Sequence, residues 1–450
     1  MKTEELRKYS GICCDSRKVR PGDLFVAVDG TSRKGSDYIE SAMNAGAAGS
    51  IVTDRLGLAR IADAYYDHPS GKLKLLGITG TNGKTTTVTL LYRMMKSLGY
   101  ECGLLSTIAN YVGDRRTETE NTTSDPITIN RLLSEMVDAG CEFCFMEVSS
   151  IGLEQQRVAC LEFAVGIFSN LTHDHLDYHG TFAEYLRCKK LFFDGLGKKA
   201  VAIVNADDRN ASVMVQNTRA SVQTFSCRGA ADHTCRILEQ GMEGMLLRID
   251  GTDVWVKLIG AHNASNLLAI HCAALALGIS PEESLLSISR LDSAPGRLEI
   301  LHGPGGINVV IDYAHTPDAL ENVLKTLRAV ESERSLVCLF GCGGDRDRTK
   351  RPEMAAVAQR YADTIFVTSD NSRTERTEDI MDEICAGFTP GARVVRIADR
   401  AEAIRAAITL SPASSTILLA GKGHETYQIL GAEKRHFDER EIVTEVFENL

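Results

Sequence analysis

A chain of 450 residues is too long for one hydrophobic core, so about two to four domains are expected; its 44% hydrophobic and 24% charged residues are those of an ordinary globular protein. Sixty acidic against 50 basic residues give a net charge of −10, the wrong sign for gripping a nucleic-acid backbone. The start, MKTEELRKYSGICCDS, has no apolar secretion core, and no run of about 18 apolar residues appears later, so neither export nor a membrane span is expected.

In chain order, three blocks emerge. The first, residues 1–72, carries the short strand candidates DLFVAV and GSIVT and ends at the breaker-like HPSGK. The second, 73–294, opens on strand KLKLLGIT, a glycine turn, and a helix with Leu90, Leu91, Met94, Met95 and Leu98 on one stripe. Strands CEFCFMEV, AVGIFSN and AVAIVN follow with helices between them. Helix NASNLLAIHCAALALGI then leads to the break SAPGR. Cys141 and Cys144 form a C-x-x-C in the apolar strand, with no second pair spaced for zinc. With 13 cysteines spread thinly, they read as reduced, buried thiols of a cytoplasmic protein.

The third block, 295–450, alternates VVIDYAH, LVCLFGCGGD, TIFVTSDN, VVRIA and TILLAGKGHE with helices. Both large blocks therefore predict mostly parallel, doubly wound α/β sheets. Each of four third-block strands ends in polar or glycine residues: Asp312 and His315, Gly343–Arg346, Asp370–Arg373, and Gly421–Glu425. Ligands bind at such carboxyl ends. A second ligand site is expected there.

The turn of the second block reads GITGTNGKTTTV, residues 77–88. A glycine-rich turn between strand and helix, closing in Gly-Lys-Thr, presents backbone N–H groups to phosphate. Gly80, Thr81, Asn82, Gly83, Lys84, Thr85 and Thr86 would form that cradle. Lys84 would reach the β- and γ-phosphates, and Thr85 would hold Mg²⁺. The usual first glycine is replaced by Ile78. NADD at 205–208 lacks the lysine of a GTPase base reader, which weakens a switch reading.

TGTNGKTT, MEVSS at 146–150, SNLTHDHLDYHGTFAEYLRCKKLF at 169–192, HNASN at 262–266, PGRLE at 295–299, DYAHTPDAL at 312–320 and FGCGGDRDRTKRP at 340–352 occur in one order. Together they resemble the Mur ligases, from about residue 73 to the end. The resemblance implies a three-domain α/β architecture: a short N-terminal UDP-sugar-binding domain (1–72), a P-loop central parallel sheet binding ATP (73–294), and a Rossmann-like C-terminal domain binding an amino acid (295–450). It also implies ATP-driven amide formation in peptidoglycan precursor synthesis. The γ-phosphate passes to a substrate carboxylate, and an amine displaces it. The chemistry is sensible, because a free carboxylate has no leaving group and bringing it to a polyphosphate requires concentrated positive charge.

By the same resemblance, Glu147 and His175 would join Thr85 as Mg²⁺ ligands, and Lys189 would carry a CO₂-derived carbamate that holds a second ion. A carbamate requires a neutral amine, hence a lysine with depressed pKa. Alone, Lys189 reads as a surface charge, and His173 and His179 as solvated loop histidines. Asn266, Arg297 and Asp312 carry over as ATP contacts, with Arg297 reaching from the third block. Ser16, Asn121, Thr122, Thr123, Ser149, Gln155 and Arg157 carry over as contacts to the UDP-muramoyl dipeptide. For the amino acid, the resemblance points to Arg346, Asp370, Asn371, Ser372, Arg373, Gly421 and Glu425. Arg373 favours meso-diaminopimelate, whose distal carboxylate a guanidinium can grip bidentately, over lysine, whose ammonium it would repel. A cytoplasmic monomer is expected.

Three features depart from the family pattern. Ser372 stands where proline is usual, Ile151 follows MEVSS where histidine is usual, and the stretch 52–69 is short of a strand–helix segment. These leave room for a folylpolyglutamate-synthetase-like enzyme with another amino acid or acceptor, or for a nucleotide-binding paralogue without ligase activity. A dehydrogenase reading GCGGD as its dinucleotide turn lacks the G-x-G-x-x-G order.

Overall fold

The structure is a computed structural model that describes residues 3–30, 33–119, 121–172 and 176–450. Its backbone contacts form two compact units: Met1–Cys235 with Asn266–Ile288, and Arg236–Ser265 with Ser289–Leu450. Among the described residues no helix is long and apolar enough to cross a membrane.

In the first unit, strands Gly11–Cys13, Asp23–Val28 and Gly49–Thr53 form a small parallel sheet. Asp54 caps the helix that follows, Arg55–Tyr65, by accepting from Gly57 N–H. Leu58 and Ile61 of that helix join Leu24 and Val26 in a core that also takes Ile127, from helix Pro126–Asp138. The first block of the sequence thus shares a compact unit with the second instead of standing apart.

The central strand, Lys74–Thr79, lies parallel between Phe143–Glu147 and Phe163–Phe168. Leu75, Leu76 and Ile78 have no exposed surface. Helices on both faces explain why the strand reads as one apolar run without alternation. Cys102–Leu105 extends the sheet on one side, Val201–Asn205 and Ser221–Ser226 on the other, all parallel. Register places Glu147 beside Ile78 and Phe168 beside Thr79, so three strands end together at the glycine turn.

The second unit holds a six-stranded sheet in the order Glu299–His302, Asn308–Asp312, Thr416–Ala420, Leu336–Phe340, Thr364–Val367, Val394–Arg396. Only the first pair is antiparallel. Its side chains alternate between two cores: Val310, Cys338, Val367 and Leu418 face one, while Val309, Val337, Phe366 and Leu419 face the other. That alternation is the doubly wound arrangement expected from sequence. Asp312 pairs with Ala420, Ala420 with Phe340, and Phe340 with Val367. Four strands therefore end in one row, and the four polar loops leave the sheet side by side.

Candidate active site

The glycine turn is built by positions no other residue fills easily. Gly83 has φ 87° and directly precedes helix Lys84–Ser97; a Cβ there would lie 2.4 Å from Asn266 Oδ1. Ser169 and Asn170, at the end of the next strand, hold the turn. Ser169 Oγ donates to the Asn82 carbonyl at 2.6 Å, and Asn170 Oδ1 accepts from Asn82 N–H at 2.9 Å. Lys84 Nζ spans the turn, donating to the carbonyls of Gly80 and Thr81 at 2.8 Å each. Thr85 and Thr86 are buried on the first helical turn.

Glu147 is 1% exposed at its strand end. Its Oε2 accepts from Thr85 Oγ1 at 3.0 Å and its Oε1 from Thr107 N–H at 2.8 Å. A hydroxyl and a carboxylate converging at the phosphate turn are hard oxygen donors of the kind Mg²⁺ takes, so these two residues fit that ion. His175 and His173 lie outside the described residues, and no group of three or more His, Cys, Asp or Glu suited to a metal occurs among those described.

Lys189 is not a surface charge. It is 1% exposed, donates to the Gly80 carbonyl at 2.8 Å, and lies 4.7 Å from the centre of the Tyr185 ring. The Tyr185 hydroxyl in turn meets Thr81 Oγ1 at 3.0 Å. Helix Phe182–Asp194, capped by Thr181, thus carries both residues against the underside of the turn. His179 also departs from expectation: it is buried, with Nε2 2.9 Å from Ser150 Oγ, because the short helix Leu176–His179 packs onto the longer one that follows.

Five of the residues expected to meet the acceptor, Thr122, Thr123, Ser149, Gln155 and Arg157, gather around the same strand end. Thr123 Oγ1 donates to the Glu147 carbonyl at 2.9 Å and accepts from Ser149 N–H at 3.0 Å. Thr122 accepts from Thr107 Oγ1 at 3.1 Å. Arg157 donates to the Thr123 carbonyl at 2.6 Å, and its fork holds Gln155 Oε1. Ser149 caps the helix Ser150–Glu154, on which Ile151 is half-buried. Asn121 is exposed beside them. Ser16 lies in the N-terminal turn where Arg17 grips Asp15 and holds its carboxyl down to about 2.

In the second unit, Asp312 accepts from the N–H groups of Leu298 (2.7 Å) and Ala314 (2.8 Å). Burial raises its pKa, opposed by Arg297, whose guanidinium lies 4.7 Å from the Tyr313 ring. Burial, and then Glu425, push the Tyr313 hydroxyl up to about 12.

The row of strand ends brings the expected amino-acid residues together. Arg373, held at φ 51°, donates to the Gly344 carbonyl at 2.8 Å, tying the 370–373 loop to the 343–346 loop. Arg346 is exposed on the latter. Asn371 donates to Glu425 at 3.0 Å, and Gly421, at φ 114°, leaves no room for a Cβ, which would lie 2.9 Å from Asp370 Oδ2. Ser372 is buried and its carbonyl accepts from Glu375 N–H at 3.1 Å. Three cations that sequence reasoning passed over have no exposed surface: Arg351, Arg400 and Lys422. Arg351 joins Glu375 and Glu383, Arg400 joins the Ser369 and Ala420 carbonyls to Glu439, and Lys422 joins Asn371 to Glu425.

The Mur ligase middle domain family model matches residues 78–274, the Mur ligase glutamate ligase domain 296–423, and the Mur ligase family catalytic domain 8–65. Over 464 aligned residues the chain is 46% identical to the UDP-N-acetylmuramoyl-L-alanyl-D-glutamate--2,6-diaminopimelate ligase of Phocaeicola vulgatus, covering 98% of this chain and 96% of that one. The chain belongs to the Mur ligase family. It is also 40% identical over 467 residues to the ligase of the same name from Bacillus cereus, covering 98% and 94% of the two chains. A solved structure of a ligase of that name superposes with a TM-score of 0.70 at 32% identity, over 98% of this chain and 95% of that one. The fold of a Mur ligase with three domains extends to MurF of Thermotoga maritima, solved with ADP (TM-score 0.67, 19% identity, 100% and 99% of the chains).

Proposed function

We propose that this Mur ligase is an ADP-forming amide ligase that joins meso-diaminopimelate to UDP-N-acetylmuramoyl-L-alanyl-D-glutamate. One observation carries the ligase reading: Glu147, which meets the phosphate turn through Thr85, shares its strand end with Thr123, Ser149 and Arg157. The γ-phosphate would emerge beside a loop suited to hold an organic acid. The choice of acceptor and amino acid rests on the ligases to which the chain is similar and on Arg373.

In this reading the turn Gly80–Gly83, Lys84 and the helix start bind the triphosphate, with Asn266 against the turn and Arg297 and Asp312 at the nucleoside end. Thr85 and Glu147 hold Mg²⁺, with His175, and the ion when bound offsets triphosphate charge. A substrate carboxylate oxygen takes the γ-phosphoryl group and ADP leaves. The amino-acid nitrogen then bonds to the acyl carbon, the C–O bond to phosphate breaks, and the amine gives up a proton. Asn121, Thr122, Thr123, Ser149, Gln155 and Arg157, with Ser16, orient the acceptor. Arg346 and Arg373 orient the amino acid's carboxylates, and Gly421 and Glu425 its ammonium end. The protein acts as a cytoplasmic monomer.

Lys189 is carbamylated in this account. Burial favours the neutral amine that reacts with CO₂, and a carbamate keeps one N–H for the Gly80 carbonyl. The mass of one CO₂ on the peptide containing Lys189, or a carbamate signal with ¹³C-bicarbonate, is expected; an unmodified Lys189 in saturating bicarbonate refutes it. For the reaction, phosphate release is measured with ATP, the muramoyl dipeptide, and diaminopimelate, lysine or ornithine in turn. Release should require both acid and amine, with diaminopimelate preferred. Equal ATP cleavage without either would sink the ligase reading, and turnover of lysine alone would sink the Arg373 argument.

A further inference from the structure

Lys422 has no surface exposure, and nothing in the ligase chemistry calls on it. A buried ammonium is costly unless its donors are met. Here Nζ donates to Glu425 Oε2 at 2.9 Å and Asn371 Oδ1 at 3.1 Å, and stands 3.7 Å from Asp370 Oδ1. Asn371 Nδ2 also donates to Glu425 Oε2, at 3.0 Å, while its Oδ1 accepts from Ile429 N–H at 2.9 Å. Both ends of the Asn371 amide are therefore committed. Glu425 Oε2 has two donors, and among the described residues Oε1 has no protein hydrogen bond.

We infer that Lys422 is a positioning residue for the amino-acid substrate: it fixes Glu425 so that Oε1 is the oxygen left to receive a substrate ammonium. It does so by holding one carboxylate oxygen and orienting the Asn371 amide that holds it too. It also balances one of two adjacent carboxylates, Asp370 and Glu425, so that the site does not concentrate unpaired negative charge. Two of its three donors meet acceptors on two different loops, Glu425 and Asn371, and the compact ammonium also stands 3.7 Å from Asp370 Oδ1. This inference rests on the reading of these loops as the amino-acid site.

A double-mutant cycle tests it on the full chain, with Lys422→Met, Glu425→Gln and the combined variant, reading KM for each substrate separately from kcat. Lys422→Met should raise KM for the diamino acid by roughly tenfold or more, with KM for ATP within about threefold of wild type. The combined variant should be no worse than Glu425→Gln alone, since Lys422 would have nothing left to position. That comparison stands even if the single Lys422 variant does not fold, because the pair removes both charges together. A KM for the diamino acid unmoved by Lys422→Met, or a combined variant whose KM for the diamino acid is about tenfold or more above that of Glu425→Gln, overturns the inference. If wild type turns over a different amino acid, the cycle is run with that one, and the same outcomes decide. If wild type turns over none, the ligase reading fails and this inference falls with it.

Discussion

Glu147 shows how much one side chain's setting matters. Isolated at a strand end, a glutamate is ordinarily solvated; here it is buried and bonded to both Thr85 and Thr107. Glu147→Gln preserves size and leaves a carbonyl oxygen for Thr107 N–H, but removes the charge. We expect kcat to fall about 10²–10³-fold with little change in Tm, measured by phosphate release and thermal melting. A loss of Tm that accounts for the lost activity would make the residue structural. Arg351 is the contrasting case, a charge that serves the fold. Arg351 holds Glu375 down to about 2 from its ordinary 4.5. A carboxylate with a depressed folded pKa stabilises the protein fully above the unfolded value and loses that contribution as pH falls through the folded one. Arg351→Met should therefore cost about 2–3 kcal/mol at neutral pH, less than a fully buried pair because both glutamates retain solvent. The gap from wild type, read by urea unfolding, should narrow steadily between pH 4.5 and about 2. A gap that is constant with pH would mean that packing of the arginine stem, and not its charge, is what was lost.

At the scale of elements, the glycine turn is where sequence and structure agree most closely, because its backbone demands are local. Gly83 sits at φ 87° with Asn266 against it, so Gly83→Ala should raise KM for ATP and cost about 1–2 kcal/mol of stability. Unchanged nucleotide affinity by calorimetry would mean that the turn does not grip phosphate. The long apolar strands were equally legible, since burial on both faces leaves an unbroken hydrophobic run. Weaker elements were not. Arg115–Thr117 and Glu433–His436 are short and largely charged, and they are strands only because a hairpin partner supplies their hydrogen bonds. Lys422, Arg351 and Arg400 escaped for a related reason. Their burial depends on acceptors distant in sequence: Glu439 lies 39 residues from Arg400 and Asn371 51 from Lys422. Local pattern reads each as a solvated charge. Lys189 escaped the same way, and only the family resemblance singled it out.

Across the whole chain, the sequence divides into three blocks while the backbone contacts form two compact units, and packing explains the difference. The first block's core is small and split in two: Leu6, Leu24, Val26, Leu58 and Ile61 pack with Ile127 from the second block, while Phe25, Ala27, Ala42 and Ala47 form a separate cluster. Two buried clusters this small, seven and four residues among those described, are below what a free-standing domain needs, so the block borrows its neighbour's helix. The ligand groups divide accordingly. Those expected to meet ATP phosphate lie in the first unit, on Gly80–Thr86, and those expected to meet the amino acid lie in the second, on the loops after Phe340, Val367 and Ala420. A ligand stabilises whatever it binds, by about 2.7 kcal/mol at a hundredfold excess over Kd, and that stabilisation is read locally by amide exchange. ATP with Mg²⁺ should slow exchange around 80–86 and 147–149. Diaminopimelate should slow it around 343–346, 370–373 and 421–425, and lysine should do so less at 371–373 because it lacks the carboxylate that Arg373 would hold. Each pattern can be measured on the full-length protein without turnover, so it tests binding apart from chemistry. Protection by diaminopimelate that misses all three loops would remove the amino-acid assignment while leaving the nucleotide site standing, since the two sets of amides share no residue.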